Sequence, residues 1–195
     1  MKKMRFDEKQ LKSVLKFLIK FNFFAIPLYL IIVTDWNFAW LQTTTANITY
    51  SLLSLFGFSP TMNNLLITIP IKNGNWAAYI SWDCTGWKSI LAFFALVMST
   101  DFPTRKKLLG LLFIPVIYLI NIARILFMFF YVRTYDLQYY SQVHSIVWGW
   151  GLIAVVLVLW VFWMQRSRMD RCVCRLECKC EAKKQSKKHY KVKRA

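Results

Sequence analysis

Residues 82–89 read Trp82-Asp83-Cys84-Thr85-Gly86-Trp87-Lys88-Ser89 and open directly into the apolar run Ile90 to Met98. This pattern predicts a reactive thiol at the entrance of a membrane span. A cysteine at a helix N-terminus feels the positive end of the helix dipole and the unpaired N–H groups of the first turn, and both favour the nucleophilic thiolate. The alternative is a small buried hydrophobic cysteine, which the polar neighbours of Cys84 disfavour.

The composition indicates a small integral membrane protein. The chain has 195 residues, of which 57% are hydrophobic, and 26 Lys and Arg against 9 acidic residues. Seven of the cations lie in residues 1–20, three in residues 105–107 and twelve after residue 164. The positive-inside rule therefore predicts that these three regions are cytoplasmic and that Cys84 faces outward. We assign the basic ends to topology and to attraction by anionic lipids rather than to nucleic-acid binding, because no nucleic-acid-binding module accompanies them.

The apolar runs predict an all-α integral membrane protein with about four transmembrane helices. The expected spans are Phe17 to Val33, Thr85 to Thr100, Leu108 to Val132 and His144 to Met164. The run Trp36 to Phe58 has one apolar and one polar helical face, so it is expected to be an amphipathic helix in the outer interface. A further full span there would move Cys84 to the cytoplasmic side.

A short extracytoplasmic β-hairpin is expected between the interfacial helix and the cysteine turn. Two strand-like segments, residues 65–71 and 76–82, flank the turn signal Asn73-Gly74. The strands must lie outside the hydrocarbon, where open sheet edges are not tolerated. Such an edge is a candidate site for an extended peptide that adds as a strand, and a simple connector is the alternative.

Two more ionisable residues fall at the later apolar runs. Arg124 lies inside the run Leu108 to Val132, where a charge is costly and marks a functional site, although a snorkelling or paired cation is the alternative. Asn121, one turn earlier, is expected to accept a hydrogen bond from the guanidinium. His144 begins the last run and is a candidate general acid and base, or an interfacial residue without a catalytic role.

In this order, the Cys-Thr-Gly turn at Cys84, the Asn-x-x-Arg motif ending at Arg124 and the span headed by His144 resemble the exosortase/archaeosortase family of membrane-embedded cysteine transpeptidases. The resemblance extends over roughly residues 35–165 and implies one membrane-embedded domain, residues 1–165. It implies that Cys84 is the nucleophile, that Arg124 stabilises the oxyanion or binds substrate, and that His144 is the general acid and base. No cofactor is expected.

Four residues are expected to support this set: Asp83, Gly86, Lys88 and Asn121. Lys88 is expected to lower the thiol pKa or to receive a substrate carboxylate. Asp83 is expected to raise that pKa, unless it caps the following helix.

The resemblance also implies a protein-sorting enzyme of the cytoplasmic membrane with its active site on the outer face. Its partners would be exported proteins that end in a short motif, a transmembrane segment and a basic cluster. Cleavage of that signal would leave an acyl-enzyme on Cys84, and a lipid- or glycan-linked acceptor would resolve it. Two other classes stay open: a non-catalytic membrane assembly subunit, and a thiol redox or metal-handling membrane protein.

Residues 166–195 are predicted to form a basic, cysteine-containing cytoplasmic tail. Its four thiols are a candidate zinc site, although their one-residue spacings are tighter than the usual two to four. Lipidation, adventitious metal binding or no role at all are the alternatives. The four residues are Cys172, Cys174, Cys178 and Cys180.

Overall fold

The computed structural model describes residues 8–72, 74–135 and 137–168. Within these ranges the chain is mostly helical and carries one small sheet. The helices, in chain order, are α1 (Glu8–Phe24), α2 (Ile26–Val33), α3 (Ala39–Leu55), α4 (Trp87–Ser99), α5 (Thr104–Leu111) and α6 (Ile114–Thr134), followed by the last helix, Tyr140–Arg168. The strands are β1 (Thr61–Asn63), β2 (Leu66–Ile71) and β3 (Gly74–Tyr79).

Two helices of the described residues are long and apolar enough to cross a membrane: Thr104–Thr134, which contains α5 and α6, and the last helix. A third crossing results if α1 and α2, which meet at a bend of 43°, act as one span. Pro27 lies in the first turn of α2, and its missing N–H accounts for the break. Helix α4 is apolar but has 13 residues, about 20 Å at 1.5 Å per residue. The protein is therefore a helical membrane protein with two to three candidate spans, and the count of about four stays a prediction.

Helix α3 occupies the segment for which the sequence predicts an interfacial helix. Of the five residues that α3 buries, Leu53 is large and apolar, and the other four are small or polar: Gln42, Thr45, Ala46 and Thr49. The Thr49 hydroxyl donates to the backbone carbonyl one turn earlier at 2.8 Å, and the Gln42 amide donates to the carbonyl of Ile80 at 2.8 Å. Trp40 and Leu55 remain largely exposed. Among the described residues α3 is not a candidate span, and its place in the interface stays a prediction.

The strands form a three-stranded antiparallel sheet of order β1-β2-β3. Strand β2 pairs with β3 from Leu66 opposite Tyr79 to Ile71 opposite Gly74, so β3 begins two residues earlier than the sequence predicts. Strand β1 adds three residue pairs to the other edge of β2. The sequence analysis missed β1, because three residues are too few to show an alternating pattern.

The sheet packs between α3 and α6 around one hydrophobic cluster. Its buried members come from α3, the sheet, the cysteine turn and α6: Ala46, Leu53, Phe58, Ile67, Ile69, Ile80, Cys84, Ile125 and Phe129. The cysteine is therefore part of the protein core and lies where the end of the sheet meets α6.

The chain divides into two compact units, residues 1–157 and 158–195. Every candidate site residue before the tail belongs to the first unit. Of the second unit, the structure describes helical residues 158–168. The proposed zinc ligands lie outside the described residues, and the predicted boundary between residues 165 and 166 stays a prediction.

Candidate functional site

Cys84 lies in a short 3-10 helical turn, Trp82–Thr85, that joins the sheet to α4. The Cys84 N–H donates to the carbonyl of Ser81 at 3.0 Å, and the Thr85 hydroxyl donates to the carbonyl of Trp82 at 2.9 Å. Only 8% of Cys84 is exposed. The turn thus holds the thiol in a fixed position at the edge of the core.

The thiol is not activated in the way the sequence suggests. The N-cap of α4 is Gly86, two residues beyond Cys84, and burial raises the pKa of the thiol above its ordinary value. The Ser81 hydroxyl, 3.1 Å from the sulfur, lowers that pKa, as does the charge of Arg124, while Asp83 raises it. Burial outweighs the other effects, so Cys84 rests as the thiol and needs a base that removes its proton.

Asn121 anchors the cysteine turn to α6. Its fully buried amide donates from Nδ2 to the backbone carbonyl of Cys84 at 2.7 Å. The predicted hydrogen bond from the Arg124 guanidinium to this amide is absent: within the described residues neither the Asn121 Oδ1 nor the Arg124 Nε, both buried, has a hydrogen-bond partner. The motif spacing places both side chains on one helix face but does not reveal which partner the amide takes.

Gly86 permits the close approach of α6 to this turn. It has φ of +76°, a left-handed conformation that glycine adopts without strain. A Cβ at this position would lie 2.9 Å from the Cγ of Asn121. Backbone conformation and space therefore both require glycine, which gives a physical reason for this residue in the Cys-Thr-Gly motif.

The other two supporting residues pair with each other. The Lys88 ammonium lies 2.8 Å from the Asp83 carboxylate, and both side chains are about half exposed. Asp83 is not the cap of α4, because the cap residue is Gly86. The predicted effect of Lys88 on the thiol does not appear among the causes of the Cys84 pKa shift, whereas the predicted effect of Asp83 does.

Arg124 and His144 both contact Trp148, a residue that the sequence analysis does not single out. The guanidinium carbon of Arg124 lies 3.9 Å from the centroid of the Trp148 ring, a favourable cation–π contact. The His144 ring stacks on the same indole with centroids 4.8 Å apart and an interplanar angle of 17°. Tyr140, one turn before, stacks on His144 at 5.6 Å. The regular four-residue spacing of these rings was the available signal.

Trp148 lies in the π-helical turn Val147–Gly151. Such turns insert into α-helices and are frequent at functional sites, because they re-aim a side chain without ending the helix. The indole lies between two groups of different chemistry, a fixed cation and an imidazole. Its contacts therefore tie the last helix to α6 beside the cysteine turn.

Cys84 and His144 line one small cavity of about 60 Å³. Its walls come from β3, α6 and the start of the last helix, and include Trp76, Phe129, Tyr140 and Trp148. A larger cleft of about 250 Å³ lies beside the same turn and includes Ser81, Asp83 and Lys88. The smaller cavity is the one that holds the sulfur and the imidazole, so we take it as the candidate site. No group of three or more His, Cys, Asp or Glu within the described ranges has the arrangement of a metal site.

Fold and site together define an integral membrane protein in which a buried cysteine and a histidine line one cavity. Arg124 does not line this cavity but contacts Trp148, which does. The model of the transmembrane exosortase family matches residues 5–169. The chain therefore belongs to the transmembrane exosortase family, which confirms the resemblance found in its motifs. Neither the search of curated proteins nor that of solved structures found a match.

Proposed function

We propose that this protein is a membrane cysteine transpeptidase that removes the C-terminal sorting signal of exported proteins. Family membership supports the class. The observation that carries the assignment of residues is the cavity that Cys84 and His144 line together, with Arg124 held against its wall by Trp148.

In the first step the sulfur of Cys84 attacks the carbonyl carbon of the scissile peptide bond. His144 takes the thiol proton as the C–S bond forms, a requirement that follows from the raised pKa of the buried thiol. The positive charge of Arg124 stabilises the oxyanion of the tetrahedral intermediate. The C–N bond then breaks, His144 returns the proton to the leaving amine, and a thioester remains on Cys84.

In the second step an acceptor amine or hydroxyl carried by a lipid or glycan attacks the thioester. His144 takes a proton from the acceptor, the C–S bond breaks, and the sulfur regains its proton. The sorted protein is then joined to the acceptor. Because enzyme, substrate and a lipid-linked acceptor are confined to one membrane, part of the entropic cost of bringing them together is already met.

The proposed setting is the cytoplasmic membrane, with both termini cytoplasmic and Cys84 on the outer face. The distribution of Lys and Arg supports this orientation. A contact between the Lys20 ammonium and the Asp101 carboxylate supports it too, because it joins the first helix to the basic loop before α5, two regions predicted to lie on one side. In this arrangement α4 is the fourth helix to cross the membrane. Local thinning of the lipid bilayer or the turns that flank α4 offset its short length.

The test is to trap the acyl-enzyme. Membranes that contain the protein are mixed with exported proteins from the same cell that end in a motif, a span and a basic cluster, and the Cys84 peptide is analysed by mass spectrometry. The wild type is expected to carry a substrate fragment. Cys84→Ala abolishes the adduct, Arg124→Ala and His144→Ala reduce it strongly, and Arg105→Ala, in the basic loop, leaves it unchanged.

The two other classes give different results in this experiment. A non-catalytic assembly subunit keeps its cellular function in Cys84→Ala and carries no adduct. A redox or metal-handling protein shows a reversible disulfide or bound metal in place of a thioester. Either outcome refutes the transpeptidase assignment.

A further inference from the structure

One edge of the sheet has no partner strand within residues 8–72, 74–135 and 137–168. Strand β3 pairs with β2 on one side, and no strand of the described residues lies on its other side. The Ile80 N–H donates to the carbonyl of Leu65 at 2.9 Å, which identifies this opposed pair as hydrogen-bonded. Because such pairs alternate along antiparallel strands, residues 75, 77 and 79 direct their N–H and C=O groups away from β2.

The partner strand is consistent with this alternation. Pro70 stands opposite Asn75, a pair that exchanges no backbone hydrogen bonds. Proline, which has no N–H, is therefore tolerated at this position of β2. Three residues of β3 then present N–H and C=O groups to the open edge: Asn75, Ala77 and Tyr79. All three are exposed.

The open edge leads directly into the candidate site. Trp76, Ala78 and Tyr79 of β3 line the same cavity as Cys84 and His144. The Trp76 ring also contacts Phe129 of α6 at 5.2 Å. A chain that lies along β3 thus passes the cavity that contains the sulfur.

The sequence of β3 has none of the residue features that commonly protect an edge strand. Edge strands are commonly protected by charged residues, proline, bulges or very short length. Strand β3 has six residues, GNWAAY, with no charge and no proline. The opposite edge is β1, which has three residues.

We propose that the substrate segment next to the scissile bond binds as a fourth strand on the open edge of β3. This inference rests on the proposed function. Backbone hydrogen bonds to residues 75, 77 and 79 supply affinity that tolerates sequence change, and the cavity beside Trp76 and Phe129 selects an apolar side chain close to the cleaved bond. The occupant is an extended peptide rather than a second copy of the chain, because edge-to-edge pairing of two copies would leave the cavity beside Cys84 unfilled.

The test uses a probe that needs no knowledge of the sorting motif. Tetra-alanyl chloromethyl ketone and iodoacetamide both alkylate a cysteine with loss of a halide, and only the first carries a peptide backbone. Second-order rates of Cys84 alkylation are measured for the full chain in detergent by mass spectrometry. N-methylation of the peptide probe at alternate residues is expected to slow it about three- to tenfold per lost hydrogen bond, while methylation at the residues between leaves the rate unchanged.

A matched pair of variants tests the enzyme side of the contact. Ala77→Pro removes an outward N–H without touching the β2 ladder, so it is expected to slow the peptide probe about three- to tenfold and to leave iodoacetamide unaffected. Met62→Val, in strand β1 at the opposite edge, is the control and is expected to react with both probes as the wild type does. If Ala77→Pro disturbs folding, the iodoacetamide rate changes too, and the N-methyl series on the wild type then decides.

Three results overturn the proposal: no alternation in the N-methyl series, an unchanged peptide rate in a folded Ala77→Pro variant, or a dimer that dissociates when the edge is altered. Failure of the proposed function is distinguishable. In that case strand docking of the probe persists, while no exported protein forms a thioester with Cys84.

Discussion

Replacement of Asn121 by leucine is expected to release the cysteine turn from α6. Leucine has the same number and branching of side-chain heavy atoms as asparagine, although its methyl groups are bulkier, and it cannot donate a hydrogen bond. The change therefore removes the 2.7 Å contact between Nδ2 and the Cys84 carbonyl. Asn121 is 0% exposed, and the carbonyl would lose a buried donor that water cannot easily replace. The free energy of unfolding should fall by about 1–3 kcal/mol, with a decrease in Tm of about 2–4 °C for each kcal/mol.

The same change is expected to move two reactivities of Cys84 in opposite directions. A turn that is no longer fixed exposes the thiol, so alkylation by iodoacetamide becomes faster. Acyl-enzyme formation becomes slower, by about 10- to 100-fold, because the sulfur no longer stays within reach of both the base and the cation. Thermal unfolding in detergent and mass spectrometry of the Cys84 peptide measure the three quantities. Asn47→Leu on the exposed side of α3 serves as the control and should change none of them.

The reasoning is refuted if Asn121→Leu keeps the wild-type Tm and both wild-type rates. It is also refuted if both reactivities fall together while the protein remains folded, because a released turn cannot protect the thiol from a small reagent.

Two further predictions concern the thiol and the glycine that follows it. Burial raises the pKa of the Cys84 thiol, the Ser81 hydrogen bond lowers that pKa, and Asp83 raises it. Ser81→Ala should therefore move the pH profile of Cys84 alkylation to higher pH, and Asp83→Asn should move it to lower pH, because a smaller thiolate fraction means slower alkylation at a given pH. Shifts of the same sign in both variants would contradict these assignments. Gly86→Ala should lower the Tm more than Gly57→Ala does. Both glycines have φ above +70°, so alanine at either position introduces a backbone strain of about 1–2 kcal/mol. Only at Gly86 would the new Cβ also meet a buried amide, at 2.9 Å, whereas nothing lies within 4 Å at Gly57. Equal losses would show that the space beside Gly86 is not restrictive.

The family could be predicted from the sequence because the resemblance rests on local features, and the roles of the candidate residues stay predictions. A cysteine at the mouth of an apolar run, an arginine within one and a histidine at the head of one need no tertiary information. Cys84 and His144 indeed share a cavity. The partner of Asn121 could not be predicted, because Cys84 is 37 residues away and the motif leaves several acceptors open.

The buried side of α3 shows why periodicity is a weaker guide in this protein than in a soluble one. An apolar stripe in a soluble protein marks the core, but in a membrane lipid is as apolar as the core. Small and polar residues therefore gain most by facing other helices, where their hydrogen bonds are satisfied. Gln42 fits this reasoning, because its buried amide donates to the carbonyl of Ile80 outside α3, while Trp40 and Leu55 are exposed. The contact between Trp148 and Arg124 could not be predicted for a related reason, because interfacial tryptophan is common and Arg124 comes from another helix.

The reactivity of the thiol depends on one helix, α6, through two residues one turn apart. Asn121 fixes the backbone of the cysteine turn, and Arg124 supplies the charge that lowers the pKa of a thiol otherwise raised by burial. One helix therefore carries the cation and also holds the cysteine turn through a hydrogen bond, so the sulfur and the cation stay near each other as long as that bond is kept. The imidazole, by contrast, comes from the last helix and reaches the same cavity through its stack on Trp148. A movement of the last helix would therefore separate the proposed base from the proposed nucleophile, whereas the bond from Asn121 keeps the cysteine turn on α6.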